Sequence, residues 1–381
     1  MYLKPRPLRF EKNWRHSFSR QLLPCGLLLR IALSVHTPLA VARSDAHPQN
    51  DGNSFVGSQV CAGCHVEIAA AHKQSDHART LRRVEELDEL LQANSLKFHY
   101  KSNDVEYRIE KSSKPEYLLD LVAVKGQLTD RLHLSWGFGS GRRGVTFVGK
   151  TDRGGYGQSL VSWYQKLNAL DITTGLDRSV SDATDALADG LTPAKRVECF
   201  SCHVTRAPET LPEVIDNSIA GIQCERCHGP GEAHVKAIRA GASQTGSKIG
   251  NLGSLRAREQ IRFCGACHGE PPGESDLTAL SEIIAHHTTV RFPPKRLVLS
   301  RCFDESDGRL KCTTCHDPHS VLPTSLSAFD VKCLACHSSK SGRFSACPVS
   351  RQDCVSCHMP REKLMMHSDF ADHWIRKVRT P

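Results

Sequence analysis

The chain has 381 residues, of which 24% are charged and only 6% aromatic, and its formal net charge is +9. Seven basic residues and one acidic residue within the first 42 positions give this segment a net charge of +6, so the rest of the chain carries only +3. The other Lys and Arg residues are scattered, which excludes the basic patch typical of a nucleic-acid-binding protein.

Residues 1–42 have the pattern of an export signal. A basic start, MYLKPRPLRFEKNWRHSFSR, precedes an interrupted apolar stretch, QLLPCGLLLRIALSVHTPLAVA, whose last three residues fit a small-x-small cleavage site. A mispredicted start codon, a membrane anchor and a lipoprotein site at Cys25 are the alternatives. No later stretch approaches the ~20 apolar residues of a membrane span. We expect a mature chain, residues 43–381, that folds as a single soluble domain in the periplasm or otherwise outside the cytoplasm of a bacterium.

Two patterns of apolar residues follow along the chain. Residues 66–92 have the spacing of a helix, with a break near Ser75. Within residues 105–109 and 132–136 apolar residues alternate instead, and glycines punctuate the sequence around them. This alternation predicts a small antiparallel sheet over residues 98–165, inserted before a region of short helices and loops.

The stretch GVTFVGKT, from Gly144 to Thr151, matches the formal pattern of a phosphate-binding loop. That chemistry needs a flexible loop of exposed amides that opens a helix. Here the interior residues favour a strand, and the DRGGYG that follows cannot begin a helix. We therefore reject ATP or GTP binding at this position.

Seven copies of Cys-x-x-Cys-His dominate the rest of the sequence. Their cysteines are Cys61 and Cys64, Cys199 and Cys202, Cys224 and Cys227, Cys264 and Cys267, Cys312 and Cys315, Cys333 and Cys336, and Cys354 and Cys357. The histidines that follow them, numbered here as motifs 1 to 7, are His65, His203, His228, His268, His316, His337 and His358.

A Cys-x-x-Cys pair by itself could belong to a zinc site, a redox disulfide or a c-type haem attachment site. Only haem attachment requires a histidine directly after the second cysteine, because that residue lies under the iron and supplies its proximal imidazole. All seven copies have this histidine. The sequence therefore predicts seven covalent haems c with iron as the bound metal.

Three cysteines fall outside the motifs. Cys25 belongs to the export segment, whereas Cys302 and Cys347 form an even pair in an oxidising compartment. A disulfide between these two residues and two separate buried thiols are equally compatible with the sequence.

The second axial ligand of each iron is also expected to be histidine, because the chain has 20 histidines and only 4 methionines. Bis-histidine ligation keeps haem potentials lower than His/Met ligation does. As a distal ligand His77 is preferred over His72, and one of the two adjacent residues His286 and His287 is a further candidate. His99 and His133 lie in strand patterns and are expected to be ordinary histidines. The distal candidates are His77, His234, His287, His319, His367 and His373.

The fold class expected from these features is mostly α-helical with extensive loops and the small antiparallel insertion, organised around seven haems. With so few aromatic residues, the porphyrins are expected to supply much of the core. The haem-free chain is then expected to be largely unfolded.

At its motifs the chain resembles a superfamily of multihaem c-type cytochromes that includes nitrifier tetrahaem cytochromes, pentahaem nitrite reductases and hydroxylamine-oxidoreductase-like proteins. The phrases that carry the resemblance are GSQVCAGCHVEI, CERCHGPGEAH, CTTCHDPHS, CHMPR and FADHWIR. The resemblance implies closely paired haems and distal ligation by His77, His234, His319 and His373.

Two departures from the enzymes of this superfamily matter. The nitrite reductases place a lysine in the proximal position of the catalytic haem, whereas all seven motifs here end in histidine. The hydroxylamine-oxidising enzymes cross-link a late tyrosine to haem, whereas the last tyrosine here is Tyr164, before motif 2. The favoured expectation is an electron carrier between a quinone-side donor and a periplasmic or extracellular acceptor. The alternative is a reductase or oxidase of a small nitrogen or sulfur compound at one open haem.

Overall fold

The computed structural model describes residues 54–92, 96–100, 105–113, 116–123, 126–176, 188–206, 219–243, 248–273, 275–338, 346–365 and 367–377. The predicted export segment and Cys25 lie outside these ranges, and the division into residues 1–42 and 43–381 stays a prediction. No helix in the described ranges is long and apolar enough to cross a membrane.

An antiparallel sheet of nine strands is the largest element of the described part. Seven strands, β2 to β8, follow one another as neighbours, while β1 pairs with β5 and β9 pairs with β7. Because β2 and β8 also lie beside each other, the sheet nearly closes on itself. The strands are β1 (Leu81–Arg83), β2 (Lys97–Tyr100), β3 (Val105–Lys111), β4 (Tyr117–Ala123), β5 (Leu128–Phe138), β6 (Gly144–Thr151), β7 (Gly155–Tyr164), β8 (Ala169–Ile172) and β9 (Ala188–Leu191).

The expectation of a mostly α-helical chain with a small sheet insertion is therefore wrong. Strand β3 alternates between buried and partly exposed positions, which made it visible in the sequence. Strands β4 and β7 are buried along most of their length, so neither shows the alternation of buried and exposed positions that marks β3. Residues 81–83, expected to be helical, pair with β5 as strand β1.

The GVTFVGKT stretch forms strand β6, as the sequence predicted. It pairs with β5 on one side and β7 on the other. A Cβ atom at Gly149 would lie 2.0 Å from the carbonyl oxygen of His133, so glycine is required there by the close approach of two strands. The resemblance to a phosphate-binding loop is accidental.

Short helices make up most of the remainder. They are α1 (Ser58–Ala62), α2 (Val66–Lys73), α3 (Asp88–Gln92), α4 (Pro193–Ser201), α5 (Cys224–His228), α6 (Glu232–Arg239), α7 (Ala257–His268), α8 (Leu277–Ala285), α9 (Pro293–Leu297), α10 (Arg301–Asp304), α11 (Cys312–Cys315), α12 (Asp330–His337) and α13 (Cys354–His358). A hairpin of β10 (Arg361–Met365) and β11 (Ser368–Ala371) follows the last helix.

The apolar core is unevenly distributed between these parts. The sheet encloses a large buried cluster that includes Tyr107, Leu119 and Phe147. A second cluster joins the sheet to Phe200 and Val204 beside motif 2. The later helices share only a small cluster of buried residues, namely Ala257, Ile261, Leu297 and Phe303. In the described residues the apolar core therefore lies mainly in the sheet, and the later helices contribute only the small third cluster.

Candidate functional site

Each of the seven motifs coincides with a helix or a helix end. Motifs 3 and 7 are the single turns α5 and α13, and motif 5 begins with the turn α11. Motifs 4 and 6 end the helices α7 and α12. One helical turn places the two cysteines, three residues apart, on the same face. Both sulfurs can then reach one porphyrin edge.

The motif cysteines are all free thiols in the described part of the chain. No group of three or more His, Cys, Asp or Glu side chains there has an arrangement that could hold a bare metal ion. The donor set thus fits haem, for which each motif supplies two sulfurs and one imidazole. Cys302 and Cys347 are also free thiols and are not joined to each other.

Cysteines of different motifs contact one another. The Cys61 thiol of motif 1 lies beside that of Cys224 in motif 3, and the Cys264 thiol of motif 4 lies beside that of Cys312 in motif 5. Two further pairs connect motifs 2 and 4 and motifs 6 and 7, namely Cys202 with Cys267 and Cys333 with Cys354. The cysteine-bearing edges of these pairs of sites are therefore adjacent.

Four motif histidines each have a second histidine ring opposite them. Their ring centres are 5.9 to 6.3 Å apart. The pairs are His65 with His234 at 6.3 Å, His228 with His319 at 6.0 Å, His268 with His77 at 5.9 Å, and His316 with His373 at 6.1 Å. In each pair one partner comes from a Cys-x-x-Cys-His motif and the other from outside it.

The Nδ1 atoms of several of these histidines donate to backbone carbonyl groups. His228 Nδ1 donates to Gly250 O over 2.7 Å, and His373 Nδ1 donates to Ala371 O over 3.0 Å. His77 Nδ1 lies 3.4 Å from Pro318 O. Such bonds set the tautomer and the orientation of an imidazole that binds metal through its other nitrogen. The Nε2 atom of each ring is then the one available to a metal.

Burial favours the neutral form of four histidines in the site. It lowers the pKa of His268 and that of His373 to about 4. It also lowers the pKa of His203 and His316 from the usual value. A neutral imidazole has the lone pair that a metal needs, so no proton has to be displaced when iron binds.

His287 and His367 are not paired in this way within the described residues. His287 is exposed at the start of a 3₁₀ turn, His287–Arg291. His367 Nε2 lies 2.6 Å from Asp171 Oδ2, and its ring packs against Tyr164 with 4.7 Å between ring centres. A carboxylate thus already occupies the nitrogen that would face a metal.

The two closely spaced histidines His72 and His77 contact different partners. His77 lies opposite His268. His72 is buried, and its ring meets that of His319 edge-on with 6.3 Å between centres. Burial lowers the pKa of His72 to about 4. His72 is therefore a neutral neighbour of His319, which itself lies opposite His228.

Two motif histidines have no histidine ring opposite them within the described ranges. His203 Nδ1 lies 3.0 Å from Thr80 O, and the ring meets Phe138 edge-on. His358 Nδ1 donates to Arg376 O over 3.0 Å. The remaining motif histidine, His337, is half-buried at the end of α12.

Several residues that organise the site were not identified from the sequence. Glu225, inside motif 3, is buried and accepts three backbone hydrogen bonds. Asp372, next to His373, is buried against Arg296. The sequence offered one signal for each of them: Glu225 follows a motif cysteine, and Asp372 precedes a candidate ligand. Their partners are more than 70 residues away in some cases, so no local pattern revealed the contacts.

Comparison with known proteins gives a match of one region to a family model and a structural likeness. The family described as cytochrome c554 and c-prime matches residues 159–229, which contain motifs 2 and 3. These findings support a c-type cytochrome. The crystal structure of the outer cell wall cytochrome OcwA is similar over 84% of this chain and 79% of that one, with 17% identity and a TM-score of 0.46. The search of curated proteins found no match.

Proposed function

We propose that this chain is a heptahaem c-type cytochrome that carries electrons through closely packed haems, most of them ligated by two histidines. The four histidine pairs are the observation that carries the proposal. Two metal–imidazole bonds of about 2 Å, with about 1.1 Å from each nitrogen to its ring centre, put the ring centres about 6 Å apart. The pairs are separated by 5.9 to 6.3 Å.

In this proposal His65, His228, His268 and His316 are proximal ligands, and their partners are His234, His319, His77 and His373. A bound haem supplies one-electron redox chemistry. The chain contributes the ligands and their orientation. The hydrogen bonds from Nδ1 to carbonyl groups make the imidazoles of His228 and His373 more basic, which favours the ferric state and lowers the potential.

The contacts between motif cysteines bring the sites together in three groups. Motif 1 touches motif 3, motif 4 touches both motif 2 and motif 5, and motif 6 touches motif 7. Electron transfer needs neighbouring cofactors at short range, and adjacent attachment edges provide it. Groups of adjacent sites rather than one isolated site are the arrangement expected of a conduit.

Export and redox partners complete the proposal. Haem attachment to such motifs takes place outside the bacterial cytoplasm, so residues 1–42 would act as the export signal and the mature protein would be periplasmic or otherwise exported. A quinone-side donor and a periplasmic or extracellular acceptor would be the partner proteins.

The first experiment is the mass of the purified holoprotein together with its electron paramagnetic resonance spectrum. We expect the mass of seven attached haems and a spectrum dominated by low-spin ferric iron. The variant His234→Ala should convert one haem to the high-spin form, whereas the control His133→Ala should leave the spectrum unchanged. His133 contacts two carboxylates, Glu116 and Asp152, on the sheet. A mass below seven haems, or a His234→Ala spectrum like that of the control, would contradict the proposal.

A second candidate is a reductase or oxidase of a small nitrogen or sulfur compound. It is favoured by motif 2, where the ring of His203 meets Phe138 and Thr80 and no second histidine lies opposite in the described ranges. A catalytic metal needs an open position. A high-spin haem in the wild-type protein that binds nitrite, hydroxylamine or cyanide would make this candidate the stronger one.

A further inference from the structure

A buried ionic cluster surrounds His373. Asp372 accepts a bidentate pair of hydrogen bonds from Arg296, Nε to Oδ1 over 2.9 Å and Nη2 to Oδ2 over 2.7 Å. Arg376 Nη1 donates to Asp372 Oδ2 over 2.6 Å, and the Trp374 N–H donates to Asp372 Oδ1 over 3.0 Å. We call Arg296, Asp372, Trp374 and Arg376 the Asp372 cluster.

The cluster is rigid for two physical reasons. The side chains of Arg296 and Asp372 are only 5% and 0% exposed, so water cannot replace their bonds. The planar guanidinium of each arginine also lies near the ring of Trp374, at 5.3 Å for Arg296 and 4.5 Å for Arg376. Arg296 Nη1 donates to Ile283 O, which attaches the cluster to helix α8.

The position of His373 follows from this cluster. Its neighbours on both sides, Asp372 and Trp374, belong to the cluster. Ser300 Oγ donates to His373 O over 3.1 Å and accepts from the Ile375 N–H over 2.8 Å. The His373 backbone is thus held from both directions, which leaves the ring opposite His316 of motif 5.

The same segment also holds the proximal histidine of motif 7. The Arg376 N–H donates to His358 O over 3.2 Å, and His358 Nδ1 donates to Arg376 O over 3.0 Å. The Asp372 N–H donates to Pro360 O over 2.9 Å, close behind motif 7. One short stretch of chain therefore orients a ring of motif 5 and a ring of motif 7.

We propose that the Asp372 cluster is a positioning device shared by two haems: it sets the distal ligand of the motif 5 haem and the proximal ligand orientation of the motif 7 haem. The proposal rests on the proposed function, because it takes His316 and His373 to be the two ligands of one iron. Asp372 and Arg296 act through His373 and are positioning residues. Loss of the cluster should weaken the distal ligand of motif 5 and alter the potential of motif 7 together.

The test uses holoprotein of four variants: Asp372→Asn, Arg296→Gln, His373→Ala and, as a matched surface control, Arg301→Gln. Arg301 pairs with Glu305 four residues away, and its side chain is 88% exposed. We expect one of the seven haems to become high-spin in the first three variants and none in the control. Added imidazole should restore the low-spin spectrum, because it fills the position that His373 has left.

A merely structural role would not be repaired by imidazole. In Asp372→Asn we also expect a rise in the midpoint potential of one further haem, because His358 loses a firm carbonyl acceptor and becomes a weaker donor. That shift should be absent in His373→Ala, which keeps the cluster. If Asp372→Asn fails to accumulate with haem, Ser300→Ala tests the same claim with the ion pair intact and should give a partial high-spin fraction that imidazole removes.

The outcomes separate the two proposals. If His373→Ala keeps every haem low-spin, the proposed ligation of motif 5 is wrong. If His373→Ala yields a high-spin haem while Asp372→Asn, Arg296→Gln and Ser300→Ala do not, the ligation stands and the positioning role of the cluster is overturned. A high-spin haem in Arg301→Gln would likewise overturn it, since the effect would not be specific to the cluster.

Discussion

Glu225 is the residue whose replacement tests most directly how motif 1 is held against motif 3. It lies between the two cysteines of motif 3 and is only 3% exposed. Its Oε1 atom accepts from the N–H groups of Val56 and Gly231, and its Oε2 atom accepts from the Gly57 N–H, each over 2.8 Å. We predict that Glu225→Gln loosens the segment before motif 1 while the sheet stays intact.

The magnitude follows from the three bonds. A hydrogen bond to a charged group contributes about 1.5–3 kcal/mol, and an unsatisfied buried donor costs a similar amount. Glutamine keeps one acceptor oxygen but turns an NH₂ group toward the Gly57 N–H, so one bond is lost and the others lose their charge. We expect the local opening free energy to fall by about 3 kcal/mol, and by more in Glu225→Ala.

Amide hydrogen exchange of the holoprotein measures this opening. A loss of about 3 kcal/mol corresponds to exchange at Val56 and Gly57 that is roughly a hundredfold faster. The matched control is Glu232→Gln, because Glu232 accepts only one backbone bond among those described, from the Ser54 N–H over 3.1 Å, beside its ion pair with Lys236 at 2.6 Å. Exchange in Glu225→Gln no faster than in this control would refute the reasoning.

Three further predictions concern the sheet and its histidines. Phe147→Ala should lower the free energy of unfolding of the sheet by about 3–5 kcal/mol, because Phe147 is fully buried, and amide exchange in the strands should be faster. A changed haem spectrum in this variant would contradict the view that the sheet core is separate from the haem sites. His367→Ala should leave all haem spectra unchanged, because its Nε2 faces Asp171; a new high-spin haem would show that it is a ligand. Hydrogen bonding to Asp152 raises the pKa of His133 above the usual 6.5. The bond between protonated His133 and Asp152 therefore stabilises the fold below pH 6.5, and this stabilisation is lost as the pH rises through the raised pKa of His133. An NMR titration should show a lower His133 pKa in Asp152→Asn, and an unchanged pKa would refute the assignment.

The size of the sheet could be predicted only in part. Strands with one face toward the core, such as β3, alternate in the sequence and were recognised. Strands buried on both faces, such as β4, carry apolar residues at nearly every position and lose the period of two. The three-residue strand β1 carries no pattern of its own, and it is a strand only because β5 is available to pair with it.

The amino-acid sequence by itself determined the chemistry of this protein. Haem attachment needs two thiols and an imidazole within five consecutive residues, so the seven motifs are complete in the local sequence. Only the tertiary structure decided which histidine lies opposite which. His77 and His268 are 191 positions apart, yet their ring centres are 5.9 Å apart. An imidazole opposite a motif can come from anywhere in the chain, because folding rather than spacing brings the two rings together.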